Sequence, residues 1–363
     1  MRKYLFYFIP VLLLGYLVSC VRDDDEPPER EIKAFSRLYV STSDYQAGAA
    51  TSLENVWVID PADEDEFPDE KDIKGYISAA KGGKVIHFSP LSDGMIFQGS
   101  MNAPGTLDTS IHILSVNKLG AVSTRAKLSN RRYDNVRGLF YTVVNSGQLN
   151  EGYLVAVNKS DSLANASMFM FKRPETGGYR PRFQMSLDYI PWGLTIDGKD
   201  VYVVKTGGQD AIVAYKGFTQ NLVEKVDTNL VNILPSYSLT VAGAKNLRGI
   251  SYSKAKDILV LTDYDVESNV IKNGRILVVE QFSTHNTTKS ITPTRIIQGD
   301  ATKLKQPMDV AIDTRADGKY MYVADAGSNL VLRYLIDDDG NVSPKGSLAF
   351  KGRSPQSISL DSR

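Results

Sequence analysis

The sequence contains few of the residues that build cross-links, metal sites or nucleophilic centres. Cys20 is the only cysteine in 363 residues, so no intramolecular disulfide can form. The three histidines, His87, His112 and His285, share no metal-ligand spacing. The sequence also lacks a P-loop, a G-x-S-x-G motif and, after its first twenty residues, any long stretch of helical periodicity. It therefore predicts no cysteine- or histidine-rich metal site, and it names no cofactor.

Neither sign of charge dominates. Lys plus Arg and Asp plus Glu each number 42, and removal of Arg2 and Lys3 with an N-terminal signal would leave 40 against 42. A nearly neutral chain has no field that would attract nucleic acid, so no nucleic-acid partner is predicted.

The N-terminus predicts a lipid anchor. A short basic start is followed by "YLFYFIPVLLLGYLV", which has the length of a signal-peptide core and is short for a membrane span. Leu17-Val18-Ser19-Cys20 resembles the bacterial lipobox, in which the signal is cut before a cysteine that carries diacylglycerol. We expect a signal peptide over 1–19 and a lipidated Cys20. An ordinary secretory signal with an incidental cysteine is the alternative.

Residues 20–35 predict a solvated tether. The stretch "VRDDDEPPEREIKA" has four consecutive acids, two prolines and little to bury. An acidic run after a lipidated cysteine resembles the surface-export signal of Bacteroidetes lipoproteins. The resemblance implies an outer-membrane protein that faces the cell exterior, and a plain linker facing the periplasm is the alternative.

From residue 36 onward, a unit of short β-strands recurs. Its clearest copy is "QPMDVAIDTRADGKYMYVADAGSNLVLRYLIDDDGNVS" (306–343), and related copies occupy 190–217 and 246–282. Short alternating strands with a period near fifty are typical of propeller blades. The sequence predicts an all-β fold over 36–363, a six-bladed β-propeller of four-stranded antiparallel blades. The residues that open the first strand of each copy, at steps of 53, 55, 56, 60 and 48, are Lys84, Arg137, Trp192, Arg248, Met308 and Gln356.

The two ends of this region complement each other. The last copy, "SPQSISLDSR", is a first strand without a blade, whereas 37–45, 55–61 and 72–80 are three strands without a first strand. Pairing the C-terminal strand with the N-terminal strands would complete a blade and remove exposed sheet edges. We therefore expect the termini to close the ring.

The stretch "PMDVAID…KYMYVADAGSNLVLRY" resembles NHL-repeat and TolB-like six-bladed propellers. The resemblance is strong over the last three copies and weaker over the first half. These families include enzymes, ligand-binding proteins and scaffolds, so the resemblance implies a fold and leaves the function open.

Candidate ligand-binding residues lie where the inner strands begin. In a propeller this end, the end of the second strand and the loop after it share one face. The cations Lys84, Arg137 and Arg248 and the indole of Trp192 form a surface able to hold an anionic or aromatic ligand. Long same-face loops in blades one, two, three and five also favour this face. The ends of the second strands add Lys205, Asp263, Asp325 and Asn158, with Asp44 just past the equivalent point in blade one.

These positions also have structural interpretations. An aspartate that ends a strand commonly accepts turn amides, and Arg137 and Arg248 could instead pair with these acids across the channel. The sequence gives no packing reason for the Arg-Gly and Trp-Gly openings. The run Asp337–Asn341 resembles the start of a calcium loop but lacks its spacing and distal Glu. We interpret this run as a polar hairpin whose Gly-Asn pair takes positive φ angles.

Three functions fit these features. The first is a lipid-anchored, non-enzymatic protein that captures a small molecule, glycan or peptide at the propeller mouth. It resembles Bacteroidetes lipoproteins that serve TonB-dependent transporters. The second is a gluconolactonase-like hydrolase, a group that holds a divalent metal with Glu, Asn and Asp. Here no strand opens with Glu, and the candidates by position are Asp263, Asp325 and Asn158. The third is a protein-interaction scaffold.

Overall fold

Alternating apolar residues place one side of each strand against the preceding blade and the other side against the next blade. The computed structural model describes residues 36–46, 53–103, 105–145, 150–160, 166–178, 180–224, 231–350 and 352–363. The predicted signal peptide, Cys20 and the acidic tether lie outside the described residues. None of the described helices is long and apolar enough to cross a membrane.

Six sheets form the six blades, as the sequence predicts. Blade one contains β1 (Arg37–Thr42), β2 (Val56–Ile59) and β3 (Lys74–Tyr76). Blade two contains β4 (Gly83–Ser89), β5 (Met95–Ser100), β6 (Ile111–Val116) and β7 (Val122–Leu128). Blade three contains β8 (Val136–Asn145), β9 (Asn150–Lys159), β10 (Ala166–Lys172) and β11 (Phe183–Leu187). Blade four contains β12 (Ile190–Asp197), β13 (Asp200–Thr206), β14 (Ala211–Tyr215) and β15 (Tyr237–Val241).

The remaining blades follow the same plan. Blade five contains β16 (Ile250–Ser253), β17 (Ile258–Glu267), β18 (Val270–Glu280) and β20 (Arg295–Gln298). Blade six contains β21 (Pro307–Ile312), β22 (Tyr320–Asp325), β23 (Leu330–Leu335) and β24 (Gly346–Ala349). Strand β25 (Pro355–Asp361) belongs to blade one. Within the described ranges, an α-helix, α1 (Phe218–Glu224), follows β14, and short 3₁₀ turns occur at Glu70–Asp72, Pro174–Thr176, Phe282–Thr284 and Asp300–Thr302.

The sheet of blade four departs from the four-stranded plan. Strand β19 (Lys289–Ile291), which belongs to the chain of blade five, pairs in parallel with the outer edge of β15. This fifth strand covers an edge that would otherwise be open. The connection between β18 and β20 therefore links blade five to blade four at the outer edge of the propeller.

The core lies between blades, with one apolar cluster at each of the six interfaces. Val203 of β13 belongs to the cluster shared with Val157 of blade three, whereas the next residue, Val204, belongs to the cluster shared with Leu259 of blade five. Each fully buried side chain of this kind contributes about 1.5–3 kcal/mol. The alternation read from the sequence thus becomes the contact between blades.

The termini close the ring, as expected. Strand β25 pairs antiparallel with β1, from Arg37 opposite Asp361 to Thr42 opposite Pro355. The start of β25 lies at the face where the other inner strands begin. Since β1 runs the other way, the chain enters the propeller at Arg37, on the opposite face.

A buried arginine joins blade six to blade one. Arg333 is 1% exposed and donates to the carbonyl oxygens of Ala62 (3.0 Å) and Asp65 (2.8 Å). Its guanidinium also lies against the rings of Phe67 and Tyr320, at 4.9 and 4.3 Å from their centroids. This contact fastens the β2–β3 connection of blade one onto blade six.

Candidate functional site

Each inner strand begins with an irregularity in its pairing. In blade three, Val136 lies opposite Asn158 and Gly138 opposite Val157, so Arg137 is an extra residue in the register of β8. An extra residue of this kind is a β-bulge, which changes the direction of its side chain and is common beside functional sites. The same shift occurs in blades one, two, four and six, at Gln356, Lys84, Trp192 and Met308.

Blade five has an equivalent bulge just before β16. The amide of Arg248 donates to the carbonyl of Thr262, and the amide of Thr262 donates to the carbonyl of Gly249. Two residues therefore oppose one. The six strand-opening residues found by sequence spacing are the residues at the six bulges, which together form a ring that we call the rim.

The glycines that follow three of the rim residues have a packing role that the sequence did not reveal. A Cβ on Gly138 would lie 2.6 Å from the carbonyl oxygen of Trp192, and one on Gly193 would lie 2.7 Å from that of Arg248. A Cβ on Gly249 would lie 2.6 Å from the Cα of Asp309. The inner strands of blades three to six thus approach so closely that no side chain fits between them.

The indole of Trp192 lies among cations of three other blades. The guanidinium of Arg248 is 4.0 Å from the ring centroid, that of Arg137 is 4.5 Å away, and the Nζ of Lys84 is 5.9 Å away. Arg137 comes from the blade before Trp192 and Arg248 from the blade after it. Cation–π contacts of this kind stabilise by about 0.5–2 kcal/mol. The indole therefore positions guanidinium groups, a role that the sequence analysis did not assign to it.

Arg248 is held by neutral oxygen atoms. It donates to Thr206 Oγ1 (2.8 Å), the carbonyl of Leu247 (3.0 Å) and the hydroxyl of Tyr264 (2.9 Å). Thr206 in turn donates to the buried carboxylate of Asp210, whose pKa is raised by burial. Among the described residues Arg248 forms no ion pair. For Arg248, the alternative interpretation of an ion pair with the acids across the channel is therefore wrong.

Behind the rim, the inner strands enclose a cavity of about 180 Å³. Its charged lining, within the described part of the chain, consists of Lys84, Arg137 and Asp309. Asp309 accepts hydrogen bonds from the Ser357 hydroxyl and the amides of Ile358 and Val310, and burial raises its pKa to about 6. His87 lines the same cavity against Phe140, and burial lowers its pKa to about 3.

The acids at the ends of the second strands do not line this cavity. Asp263 is 0% exposed, accepts the amides of Lys245 and Asn246 and pairs with Arg275. Its carboxylate therefore anchors the chain that leads into blade five.

Asp325 is 0% exposed as well. It accepts the amides of Lys305, Gln306 and Ser328. These contacts match the alternative of turn-amide acceptors, and they leave neither carboxylate facing the channel.

The other candidates separate in the same way. Asn158 accepts the amides of Asp134 and Asn135, so its side-chain oxygen also anchors a turn. Lys205 occupies the corresponding position on β13, opposite Pro191, and lies outside the cavity lining. Lys84 does line the cavity and donates to the side chain of Asn135. The structure thus brings Lys84, Arg137 and Arg248 together around the indole of Trp192. It holds Asp263 and Asp325 on backbone amides instead.

Sequence reasoning missed Asp309, Tyr264 and Asp210. Asp309 could have been found, because it follows a strand-opening residue where three other blades have glycine. Tyr264 and Asp210 act through contacts between blades, and no spacing in the sequence indicates them.

The described residues contain no group of three or more His, Cys, Asp or Glu side chains able to hold a metal ion. The run Asp337–Asn341 lies between β23 and β24, the last two strands of blade six, as interpreted. Asp338 and Asp339 accept the amides of Leu335 and Ile296. Gly340 has a φ of +70°, but Asn341 does not have a positive φ, so that detail was wrong.

No family model matches the sequence, and no match was found among curated proteins. The structure is similar to the periplasmic gluconolactonase PpgL of Pseudomonas aeruginosa, with 12% identity, 90% of this chain and 99% of that chain covered, and a TM-score of 0.52. Sqt1 of Saccharomyces cerevisiae has 10% identity, coverages of 81% and 67%, and a TM-score of 0.41. The PQQ-bound aldose sugar dehydrogenase of Streptomyces coelicolor has 11% identity, coverages of 76% of this chain and 84% of that chain, and a TM-score of 0.38. The likeness to PpgL shows a shared propeller fold, and at 12% identity it shows nothing about activity.

Proposed function

We propose that this protein is a lipid-anchored binding protein that captures an anionic small molecule at the rim. In this proposal Cys20 carries the lipid, the propeller faces the cell exterior, and the bound molecule is delivered to a TonB-dependent transporter. Binding of the anion is the part that the structure supports best.

The observation that carries the proposal is the environment of Arg248. Its guanidinium is half-buried, oriented by three neutral oxygens and stacked against Trp192. The nearby acids are occupied elsewhere, since Asp263 pairs with Arg275 and Asp210 accepts Thr206 and backbone amides. A cation that is ordered but not neutralised by an ion pair is prepared to receive an anion.

Neighbouring cations strengthen this argument. Lys84 and Arg137 line the cavity and approach the same indole as Arg248. The opposite side of the rim carries the neutral side chains of Met308 and Gln356. An anion would therefore bind off-centre, toward blades two to five. Each charged hydrogen bond that it makes contributes about 1.5–3 kcal/mol.

The direction of the chain bears on the orientation in this proposal. Strand β1 begins at Arg37, on the face opposite the rim. The predicted tether, 20–35, has sixteen residues and as a flexible chain spans roughly 20–24 Å. A tether that joins the far face would leave the rim pointing away from the lipid.

Calorimetry with inorganic phosphate, citrate and glucuronate tests the binding function. If each guanidinium makes one charged hydrogen bond to the anion, the double variant Arg137→Gln/Arg248→Gln should bind the preferred anion about a hundred- to ten-thousand-fold more weakly. Lys199→Gln, an exposed far-face change, is the matched control. Equal affinity in the double variant and the wild type would exclude the rim, and metal-dependent turnover of a lactone would support the hydrolase instead.

Cell fractionation tests the lipid anchor and the cellular location. Cys20→Ala should release the protein from the membrane fraction, and retention there would reject the lipid anchor. On intact cells, an impermeant thiol reagent should label a cysteine at Asn269, on the rim face, more than one at Lys199. The reverse order would reject the orientation, and absence of labelling would reject the external location.

A further inference from the structure

The connection after Tyr264 is a β-structure where the sequence analysis expected a long loop. Strand β17 continues to Glu267 and β18 begins at Val270, and the two joining residues, Ser268 and Asn269, have φ angles of 51° and 63°. Two positive φ angles are typical of the tight type I′ hairpin turn. Strand β16 pairs only as far as Leu261 and β20 only as far as Arg275. Residues 264–273, which we call the arm, therefore extend beyond the blade on the rim face.

One face of the arm is charged. Arg275 contacts both Asp263 (2.7 Å) and Asp265 (2.9 Å), which places these two residues on the same side of β17. Glu267 follows on that side, because residues two apart in a strand share a face, and it pairs with Lys272. Val270 lies opposite Glu267 and so belongs to this charged face.

The other face of the arm is apolar. Tyr264 and Val266 alternate with the acids, and Val266 lies directly opposite Ile271. The pairing shifts between Asp263 and Asp265, but the extra residue is on β18, so the alternation along β17 is kept. Val260 and Ile276, on the same side farther down the blade, pack against blade six. The apolar face of the arm therefore points to the side of blade six, whose rim-face loop is the short "GSN".

This apolar face is exposed and begins at the candidate site. Val266 is 49% exposed and Ile271 is 41% exposed. Tyr264, on the same face, accepts a hydrogen bond from Arg248 and lies 5.1 Å from its guanidinium. Two β-branched residues farther along thus extend an apolar wall from the cation outward. Single exposed apolar residues need no explanation, but a cross-strand pair next to a binding cation suggests contact with the same ligand.

We propose that the arm completes the binding site and that the ligand is an amphipathic anion. Its anionic group binds Arg248, and its apolar portion lies against Val266 and Ile271. The inference rests on the proposed function, because it assigns the second half of the same site. It identifies the ligand as an organic phosphate, sulfate or carboxylate that carries an apolar chain or ring, and it excludes free inorganic anions as the preferred ligand.

Calorimetry with methyl phosphate and hexyl phosphate tests this assignment. A buried methylene contributes about 0.8 kcal/mol, roughly four-fold in affinity, so partial burial of the hexyl chain should give at least about ten-fold tighter binding than methyl phosphate. In Val266→Thr/Ile271→Thr the advantage should fall to about two-fold, with methyl phosphate unaffected. Threonine keeps the branched shape and strand preference, so the arm should stay folded.

The matched control is Val270→Thr, which changes the most exposed of the three residues, at 60%, on the charged face. It should keep the full advantage of hexyl phosphate. An unchanged advantage in the double threonine variant, or an equal loss in the control, would overturn the inference. Arg248-dependent binding of both probes with equal affinity would overturn it and leave the proposed function intact, whereas failure of both probes would contradict the two together. A change in sedimentation of the threonine variant would assign the arm to contact with a second copy and overturn the inference.

Discussion

The bulged residues at the rim and the residues that end the second strands lie on the same face of the propeller but are held in different ways. Arg248 and Trp192 contact each other across blades and remain half-buried at the mouth. Asp263 and Asp325 are completely buried and hold the backbone amides that lead into their own blades. A bulge at the start of an inner strand changes the direction of its side chain. Asp325, at the end of β22, and Asp263, within β17, instead keep their carboxylates on backbone amides. Position on a functional face is therefore not sufficient for a role in binding.

The largest effect should come from deleting a whole inner strand, compared with removing only the rim side chain that it carries. Removing 354–363 deletes β25, whose residues Ser357, Ile358 and Asp361 are buried, and opens the ring. The loss should be comparable to the total stability of a domain, about 5–15 kcal/mol, and the truncated protein should fail to show a cooperative thermal transition.

Gln356→Ala is the control for the truncation, because it removes only the bulged side chain. Its melting temperature should stay within a few degrees of the wild type, as for most half-exposed positions. A truncated protein that melts at the wild-type temperature would contradict closure of the ring by β25.

The next largest effect should be the loss of stability when one of the anchoring acids is replaced. Asp263→Ala removes a buried carboxylate and leaves two amides and the Nε of Arg275 without their acceptor, while Arg275 keeps its contact with Asp265. Removing one partner of a buried ion pair costs about 3–5 kcal/mol, so chemical denaturation should show a loss of that size.

Lys205→Ala changes the corresponding position on β13, which has no such contacts among the described residues. Its free energy of unfolding should change by no more than about 0.5 kcal/mol. If both alanine variants behave alike, the distinction between a carboxylate that anchors backbone amides and a side chain without such contacts fails.

A smaller loss of stability should follow when a side chain is added where the inner strands approach each other closely. Gly193→Ala would place a Cβ 2.7 Å from the carbonyl oxygen of Arg248, and overpacking of this kind costs about 1–3 kcal/mol. The shift would also move Arg248 and should weaken anion binding in calorimetry.

Gly208→Ala is the matched control, because its Cβ would meet nothing within 4 Å. Stability and anion affinity should both be unchanged there. A stable Gly193→Ala variant with wild-type affinity would show that the rim is less tightly packed than the contacts indicate.

The sequence predicts the fold better than the site, for a physical reason. Strand alternation and the spacing of the rim residues are local patterns, so they reveal the blades, the closure by 355–361 and the ring of bulges. Whether an acid faces the channel depends on which amides surround it, and those amides belong to loops distant in sequence, such as Lys305 and Gln306 for Asp325. The contact of Tyr264 with Arg248 and the extension of β17 into the arm depend on geometry between strands that composition does not indicate.

The smallest effect should come from the two titratable groups inside the cavity, which respond to pH in opposite directions. The pKa of Asp309 is about 6 in the folded protein and near 3.8 when unfolded, so between these values the folded state binds more protons. Its contribution to stability therefore falls as pH rises from about 4 to 6. The pKa of His87 is lowered to about 3 from 6.5, so the unfolded state binds more protons and the contribution of His87 rises with pH through the same window.

When Asp309 is replaced, only the contribution of His87 to the pH dependence of stability should remain in this window. In Asp309→Asn the free energy of unfolding should rise more steeply from pH 4 to 6 than in the wild type. The difference across the window should be about 1 kcal/mol, less than the shift alone implies at 1.36 kcal/mol per pKa unit, because Asp309 is partly exposed and solvent screens its charge. His87→Gln should change the slope in the opposite sense. Urea denaturation at half-unit pH steps measures both slopes, and parallel curves for the wild type and Asp309→Asn would mean that Asp309 is ionised throughout this window.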